Sequence, residues 1–354
     1  MKGYLVLENG RVFPGKLLND CCMAGGEVVF STAMISYQDI ITDPSYYGQI
    51  VVLTYPLVGN VGFNEKSFAS RSAMVKGLVL REATDFPSHY EMETDLITFL
   101  NKSEIPVLTE VDTRALTREL RSNGTMGGVI TDNLVSLERL IQKAKKEARD
   151  ISGDVVRFVT RKNIMSFGSG DKRIVMIDLG SKRGAIDSLT GRGCQVIAVP
   201  ATTTASEIIE LQPDGVFLSD GPGDPQVLQY AVDACQALLG KVPIFGIGLG
   251  HQILALSLGA RSRRLRYGHR GTNHPVKDVS NGRVYITTQN HGFAIDEESL
   301  ADHGWEVTLR SLNDYSVEGI RHREYRAFSV QFDPEGFSGY SETGFFYDDF
   351  VSML

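Results

Sequence analysis

Apolar and polar positions alternate from the first residues of the chain. The runs Tyr4-Leu5-Val6-Leu7 and Arg11-Val12-Phe13 flank Asn9-Gly10, a dipeptide suited to the positive-φ turn of a tight hairpin, so the chain is predicted to open with two paired strands. Strand-like runs recur at 27–30, 50–55 and 75–81, separated by loops rich in Asp, Pro, Gly and Ser. Helical spacing comes later, over 92–101, 113–122 and 137–148, and the last of these is crowded with Lys, Glu and Arg, as a surface helix would be. This half reads as a β-rich mixed domain.

Between 150 and 172 the periodicity fades, and Ser166-Phe167-Gly168-Ser169-Gly170-Asp171 has the composition of a linker. A boundary is expected there, with domains over 1–165 and 172–354. Beyond it, strands at 174–178, 194–199, 215–218 and 243–247 alternate with helices from 185, over 226–239 and over 252–258. That alternation predicts an α/β fold with a doubly wound, mainly parallel sheet, followed by a tail of short strands and turns. Ligands of such sheets bind at the carboxyl ends of strands, so the loops after Leu218 and Ile247 are the places to look for chemistry.

Composition narrows the function class. A chain of 354 residues is long enough for two cores, and 42% hydrophobic with 22% charged residues is ordinary for a globular protein. The net charge of −7 offers no overall attraction for nucleic-acid phosphates or anionic lipid. One basic cluster, Arg261-Ser262-Arg263-Arg264-Leu265-Arg266, reads as a solvated strand edge or the rim of a protein contact. No apolar run approaches the roughly 18 residues of a membrane helix, and Glu8 interrupts the N-terminus too early for a signal peptide, so a cytoplasmic protein is expected. Cys21, Cys22, Cys194 and Cys235 have neither metal-ligand spacing nor the pattern of a disulfide framework; reduced thiols and no metal are expected.

The first candidate loop, Ser219-Asp220-Gly221-Pro222-Gly223-Asp224-Pro225, presents backbone amides ahead of a helix; it suits an oxyanion, or serves simply as a turn. The second, Ile247-Gly248-Leu249-Gly250-His251-Gln252, passes from strand to helix with no spare residue. This is the arrangement of a nucleophile elbow, with Gly248 at its centre. The glycine spacing Gly246, Gly248, Gly250 differs from G-x-G-x-x-G and argues against a dinucleotide loop. A third element, Ser329-Val330-Gln331-Phe332-Asp333-Pro334-Glu335, ends a strand in a Pro-fixed turn with two acids. It is either a catalytic pair or a capped turn.

Taken together, the Gly-Pro-Gly-Asp-Pro loop, the elbow, Tyr267-Gly268-His269-Arg270-Gly271-Thr272-Asn273-His274-Pro275-Val276, Gln289-Asn290-His291-Gly292-Phe293 and Ser329-Val330-Gln331 resemble, in order and spacing, a class I glutamine amidotransferase of the carbamoyl phosphate synthetase type. The first half agrees: Gly26-Glu27-Val28-Val29-Phe30, Thr42-Asp43-Pro44-Ser45-Tyr46, Leu53-Thr54-Tyr55-Pro56 and Asp112-Thr113-Arg114-Ala115-Leu116-Thr117 are similar to signatures of that family's small subunit. The resemblance implies a small-subunit N-terminal domain over 1–165 and a class I amidotransferase domain over 172–354. It also implies a heterodimer with a large synthetase subunit that carries ATP and Mg and makes carbamoyl phosphate for arginine or pyrimidine synthesis. The small subunit's family role is to hydrolyse glutamine and pass on ammonia, with no cofactor of its own.

In that family an elbow cysteine attacks the glutamine amide, a histidine deprotonates it and a glutamate orients the histidine. Here the resemblance puts Gly248 at the nucleophile position and Asp333 at the base position, while Glu335 matches the third member. Losing the nucleophile of a comparable triad removes a factor of roughly 10⁶ in kcat, so negligible glutaminase activity is expected, with synthesis running on free ammonia. Ser45, Gly221, Gly223, Leu249, Gln252, Asn290, Gly292 and Phe293 match positions that hold glutamine, so the ligand is expected to bind still. A non-catalytic glutamine-sensing or structural partner subunit is the alternative. Gly248→Cys with Asp333→His is expected to regain some activity. Further departures from the family pattern fall at Gly184-Ala185 and at Gly336-Phe337-Ser338-Gly339-Tyr340.

Overall fold

A computed structural model describes every residue except 20, 22, 151 and 337–340. Cys22 and most of the segment that departs from the family pattern after Gly336 therefore lie outside the described residues. The chain forms two compact units, Met1–Gly153 and Asp154–Leu354.

In the first unit the expected hairpin is present. Lys2–Leu7 pairs antiparallel with Val12–Leu17, and Gly10 takes φ +87° in the turn between them. Five more strands close a seven-stranded barrel in the order Lys2–Leu7, Val12–Leu17, Val107–Thr109, Gly77–Val79, Gln49–Leu53, Ala24–Ser31, Met126–Thr131. Pairing of Lys2–Leu7 with Met126–Thr131 completes the ring. Closure leaves no open sheet edge, which stabilises a barrel of such short strands. Val29, Val51, Leu53, Leu78 and Val107 pack in one core with Phe63 and Leu100.

The second unit carries a ten-stranded sheet. Its parallel centre runs Cys194–Pro200, Lys172–Asp178, Gly215–Leu218, Ile244–Ile247, Ala327–Val330, and antiparallel strands extend it beyond Ala327–Val330. Successive apolar residues on the central strands point to opposite faces, as the two-residue repeat requires. Val175, Ile177, Val216, Leu218 and Ile244 pack with Leu238 and Ile253 on one side. Ile174, Met176, Phe217, Phe245 and Ile247 pack with Leu189, Tyr347 and Phe350 on the other. Both faces are covered by helices, so these strands read in sequence as unbroken apolar runs.

The structure moves the division between units. Residues 166–171, linker-like in composition, do not join two bodies: Met165–Phe167 is an edge strand pairing antiparallel with Cys194–Pro200. The units part instead at Gly153 and Asp154, because the preceding helix Val156–Val159 is already anchored in the second. Val156 is fully buried in that core, Ala201 N donates to Thr160 Oγ1 at 2.9 Å, and Arg161 N donates to Asp178 Oδ2 at 2.8 Å. The tail also differs from a set of short strands. Ser262–Asp278 and Val284–Ile295 form one long hairpin whose register shifts twice. Arg263, Arg264 and Arg266 lie exposed along its first strand. Among the described residues no helix is long and apolar enough to cross a membrane.

Candidate functional site

Four parallel strands end at one rim of the second unit: Lys172–Asp178, Gly215–Leu218, Ile244–Ile247 and Ala327–Val330. The chain steps from the first of these to Cys194–Pro200 on one side and then returns to Gly215–Leu218 on the other, so the sheet order reverses here. This is where a doubly wound sheet opens a crevice.

The elbow forms as the spacing predicts. Strand Ile244–Ile247 passes through Gly248 directly into helix Leu249–Leu256, three residues earlier than the expected helix start at Gln252. Gly248 adopts φ +52° and ψ −114°, a conformation that side chains rarely tolerate. Gly246 allows the strand to lie against the helix, since a Cβ there would stand 2.7 Å from the Gly250 carbonyl oxygen. Gly248 N donates to Val330 O at 3.0 Å, and Gly248 O accepts from Gln331 Nε2 at 3.2 Å.

One wall of the crevice is a neutral network. Gln252 Nε2 donates to Gln331 Oε1 and to Phe293 O, both at 2.9 Å. This ties the elbow helix to strand Ala327–Val330 and to hairpin strand Val284–Ile295. Asn290, Gly292 and Phe293 follow one another on that strand, all half-buried. Gly221 and Gly223 are half-buried in the loop after Leu218, and Gly223 takes φ +97°. The fold thus brings Gly221 and Gly223 in the loop after Leu218, Leu249 and Gln252 on the elbow helix, and Asn290, Gly292 and Phe293 on strand Val284–Ile295 into one unit. Ser45 belongs to the other unit, where it is buried in the turn Pro44–Tyr46 and donates through N and Oγ to Asp43 Oδ1.

The opposite corner is charged. Lys182, at the start of helix Arg183–Thr190, has 8% of its side chain exposed and forms an ion pair with Asp333. Its Nζ lies 3.8 Å from Asp220 Oδ2 and 4.0 Å from Glu335 Oε1. Glu335 Oε2 accepts from the Tyr347 hydroxyl at 2.7 Å, and burial together with the nearby Glu335 carboxylate pushes that phenol well above its ordinary value. Asp220 Oδ1 accepts from Leu249 N at 3.0 Å. Three carboxylates thus converge on one ammonium around an elbow that carries no side chain. The sequence marks Asp333 and Glu335 and carries no comparable signal for Lys182 or Asp220. Lys182 follows the first parallel strand, and the strand-end rule that selected the other loops would have reached it too.

Among the described residues of the second unit, the thiols and the imidazoles next to the elbow are buried or engaged elsewhere. Cys194 and Cys235 are buried, and burial raises both thiols, Cys235 to about 12; Cys21 lies in the first unit. His251, inside the elbow helix, is pushed down to about 3 by burial and shares a 2.8 Å hydrogen bond between Nδ1 and Ser329 Oγ. His291 is held well below its ordinary value, chiefly by burial, and both of its ring nitrogens are engaged, with Phe293 O at 2.7 Å and Gln289 Oε1 at 3.1 Å.

Comparison with known proteins matches both units. Residues 5–130 match the family described as Carbamoyl-phosphate synthase small chain, CPSase domain, and residues 175–353 match Glutamine amidotransferase class-I. The carbamoyl phosphate synthase small chain of Staphylococcus epidermidis is 44% identical over 353 residues, covering 100% of this chain and 96% of its own. Its counterpart in Oceanobacillus iheyensis is 43% identical over 355 residues, with 100% and 96% covered. The same protein of Fusobacterium nucleatum is 44% identical over 352 residues, with 99% and 97% covered.

Proposed function

Because the chain belongs to the family of carbamoyl phosphate synthase small chains, we propose that it pairs with a large synthase subunit but has lost the hydrolysis of glutamine, leaving that subunit to draw on free ammonia. In this reading the large subunit carries ATP and Mg and makes carbamoyl phosphate for arginine or pyrimidine synthesis in the cytoplasm. The small chain stabilises or regulates it in a heterodimer.

One observation carries the reading: the elbow residue is Gly248, which has no atom able to form an acyl bond. Thioester formation needs a sulfur at the bend, and the thiols of Cys194 and Cys235 are buried and protonated elsewhere. The base position compounds the loss. Asp333 is ion-paired with Lys182, so its carboxylate is committed to an ammonium and is poorly suited to take a proton. Glu335 keeps its place but has no imidazole to orient, and it faces Tyr347 and Lys182 instead. The neutral wall of Gln252, Gln331 and Phe293 is intact, which supports retained glutamine binding and, with it, a sensing role.

The test is to reconstitute the chain with its large subunit and measure carbamoyl phosphate with either nitrogen source. Synthesis from ammonium chloride and none above background from glutamine is expected; comparable synthesis from both would overturn the proposal.

A further inference from the structure

Asp220 meets two separate requirements of the elbow with one oxygen atom. Its Oδ1 accepts from the amide of Leu249, the first residue of the elbow helix, at 3.0 Å. In strand–elbow–helix sites the amide of the residue after the nucleophile is a donor for the negative charge that develops on a reacting carbonyl oxygen. That donor is already satisfied here by an anion belonging to the chain itself. In addition, a Cβ built on Gly248 would overlap Oδ1 and Cγ of the same carboxylate. The space of a side chain at 248 is thus the space that Asp220 fills.

The carboxylate is held in place from behind. Ser219 Oγ donates to Asp220 O at 2.8 Å and accepts from Leu179 N at 2.9 Å, while Ser219 O accepts from Gly250 N at 3.0 Å. Lys182 Nζ stands 3.8 Å from the second carboxylate oxygen. Asp220 is 4% exposed, so water does little to compete for it.

We propose that Asp220 is the resident occupant of the elbow's oxyanion hole and a positioning residue coupled to Gly248. The glycine makes room for the carboxylate, and the carboxylate closes the hole to the amide oxygen of a ligand. The inference rests on the reading of this pocket as a former glutaminase site, and it deepens that reading. It also revises the expectation for Gly248→Cys with Asp333→His, because that pair of changes leaves Asp220 in the hole. A thiol introduced at 248 either crowds against the carboxylate or expels it from the Leu249 amide. A neighbouring negative charge also disfavours the thiolate.

The test uses the full chain and no glutamine. Alkylation by iodoacetamide is followed on the elbow peptide by mass spectrometry, in Gly248→Cys alone and combined with Asp220→Gly. Removing the carboxylate is expected to speed alkylation at pH 7 by at least about tenfold, the effect of one unit of thiol pKa. Equal rates overturn the proposal. A melting cycle with Gly248→Ala and Asp220→Gly covers the case in which the cysteine variant does not fold. Strain from the positive φ is common to both backgrounds and cancels. The loss of Tm caused by Gly248→Ala is therefore expected to be at least halved, or folding restored, when Asp220→Gly is present. An alanine variant equally destabilised, or equally unfolded, in both backgrounds overturns the proposal. Ammonia release by the natural chain would sink the functional reading and leave these two results standing.

Discussion

The neutral wall and the charged corner of the crevice solve the same problem differently. On the wall, Gln252, Gln331, Phe293 O and Gly248 O satisfy one another in a chain of hydrogen bonds that needs no ligand and no charge. At the corner, the carboxylates of Asp220, Asp333 and Glu335 share the ammonium of Lys182, and Glu335 Oε1 finds no hydrogen-bond donor among the described residues. The wall holds its shape whatever chemistry runs beside it. The corner is a set of charges that meet at one lysine, and its geometry depends on which groups are present.

The difference predicts how each region breaks. Lys182→Met leaves three acids buried beside one another, and removing one partner from a buried ion cluster typically costs about 3–5 kcal/mol. Urea unfolding of the second unit is expected to lose that much; a loss under about 1 kcal/mol would mean that solvent screens the corner. Gln331→Leu removes one of the two acceptors of the Gln252 amide, which keeps Phe293 O, and the side-chain donor to the Gly248 carbonyl, which keeps only the longer bond from Gln252 N, at about 1–3 kcal/mol for buried polar groups that lose a partner. Calorimetry with glutamine should show weaker binding in the same variant. An unchanged affinity would detach the wall from the ligand.

A pH-dependent effect lies on the hairpin that carries the wall. Burial disfavours a charged His269, but its hydrogen bond to Asp314 and its ion pair with Glu318 outweigh that and raise it to about 9. Below pH 6.5 the ring is protonated both folded and unfolded, and the stabilisation is fully present. Between pH 6.5 and about 9 only the folded state keeps the proton, so stability falls as pH rises and the contribution is gone above that window. Melting across this range is expected to show a decline on the order of 3 kcal/mol that His269→Asn flattens. An identical decline in the variant would assign the titration to another group.

The legibility of these regions in the sequence follows the same division. Ile174–Asp178 and Gly215–Leu218 were readable because strands covered on both faces are continuously apolar, and helix Thr113–Asn123 because its buried positions Leu116 and Leu120 repeat at helical spacing. The elbow was readable because a strand that turns into a helix without a loop needs glycines at fixed places. Closure of the barrel was not, since Lys2–Leu7 and Met126–Thr131 pair across more than a hundred residues and leave no local signal. The glycines of 166–171 looked like flexibility but serve close packing: a Cβ on Gly170 would overlap the Gly193 carbonyl. Asp220 leaves no local signal because its role exists only where two strand ends meet. Nothing in Ser219-Asp220-Gly221 indicates that the carboxylate fills the space above Gly248.

The most direct measurement is ammonia released from saturating glutamine by the purified chain, alone and bound to its large subunit, with intact-protein mass recorded during the incubation. Release at background and an unchanged mass are the results expected of an elbow without sulfur. Steady release, or a glutamyl adduct on the chain, would contradict the account.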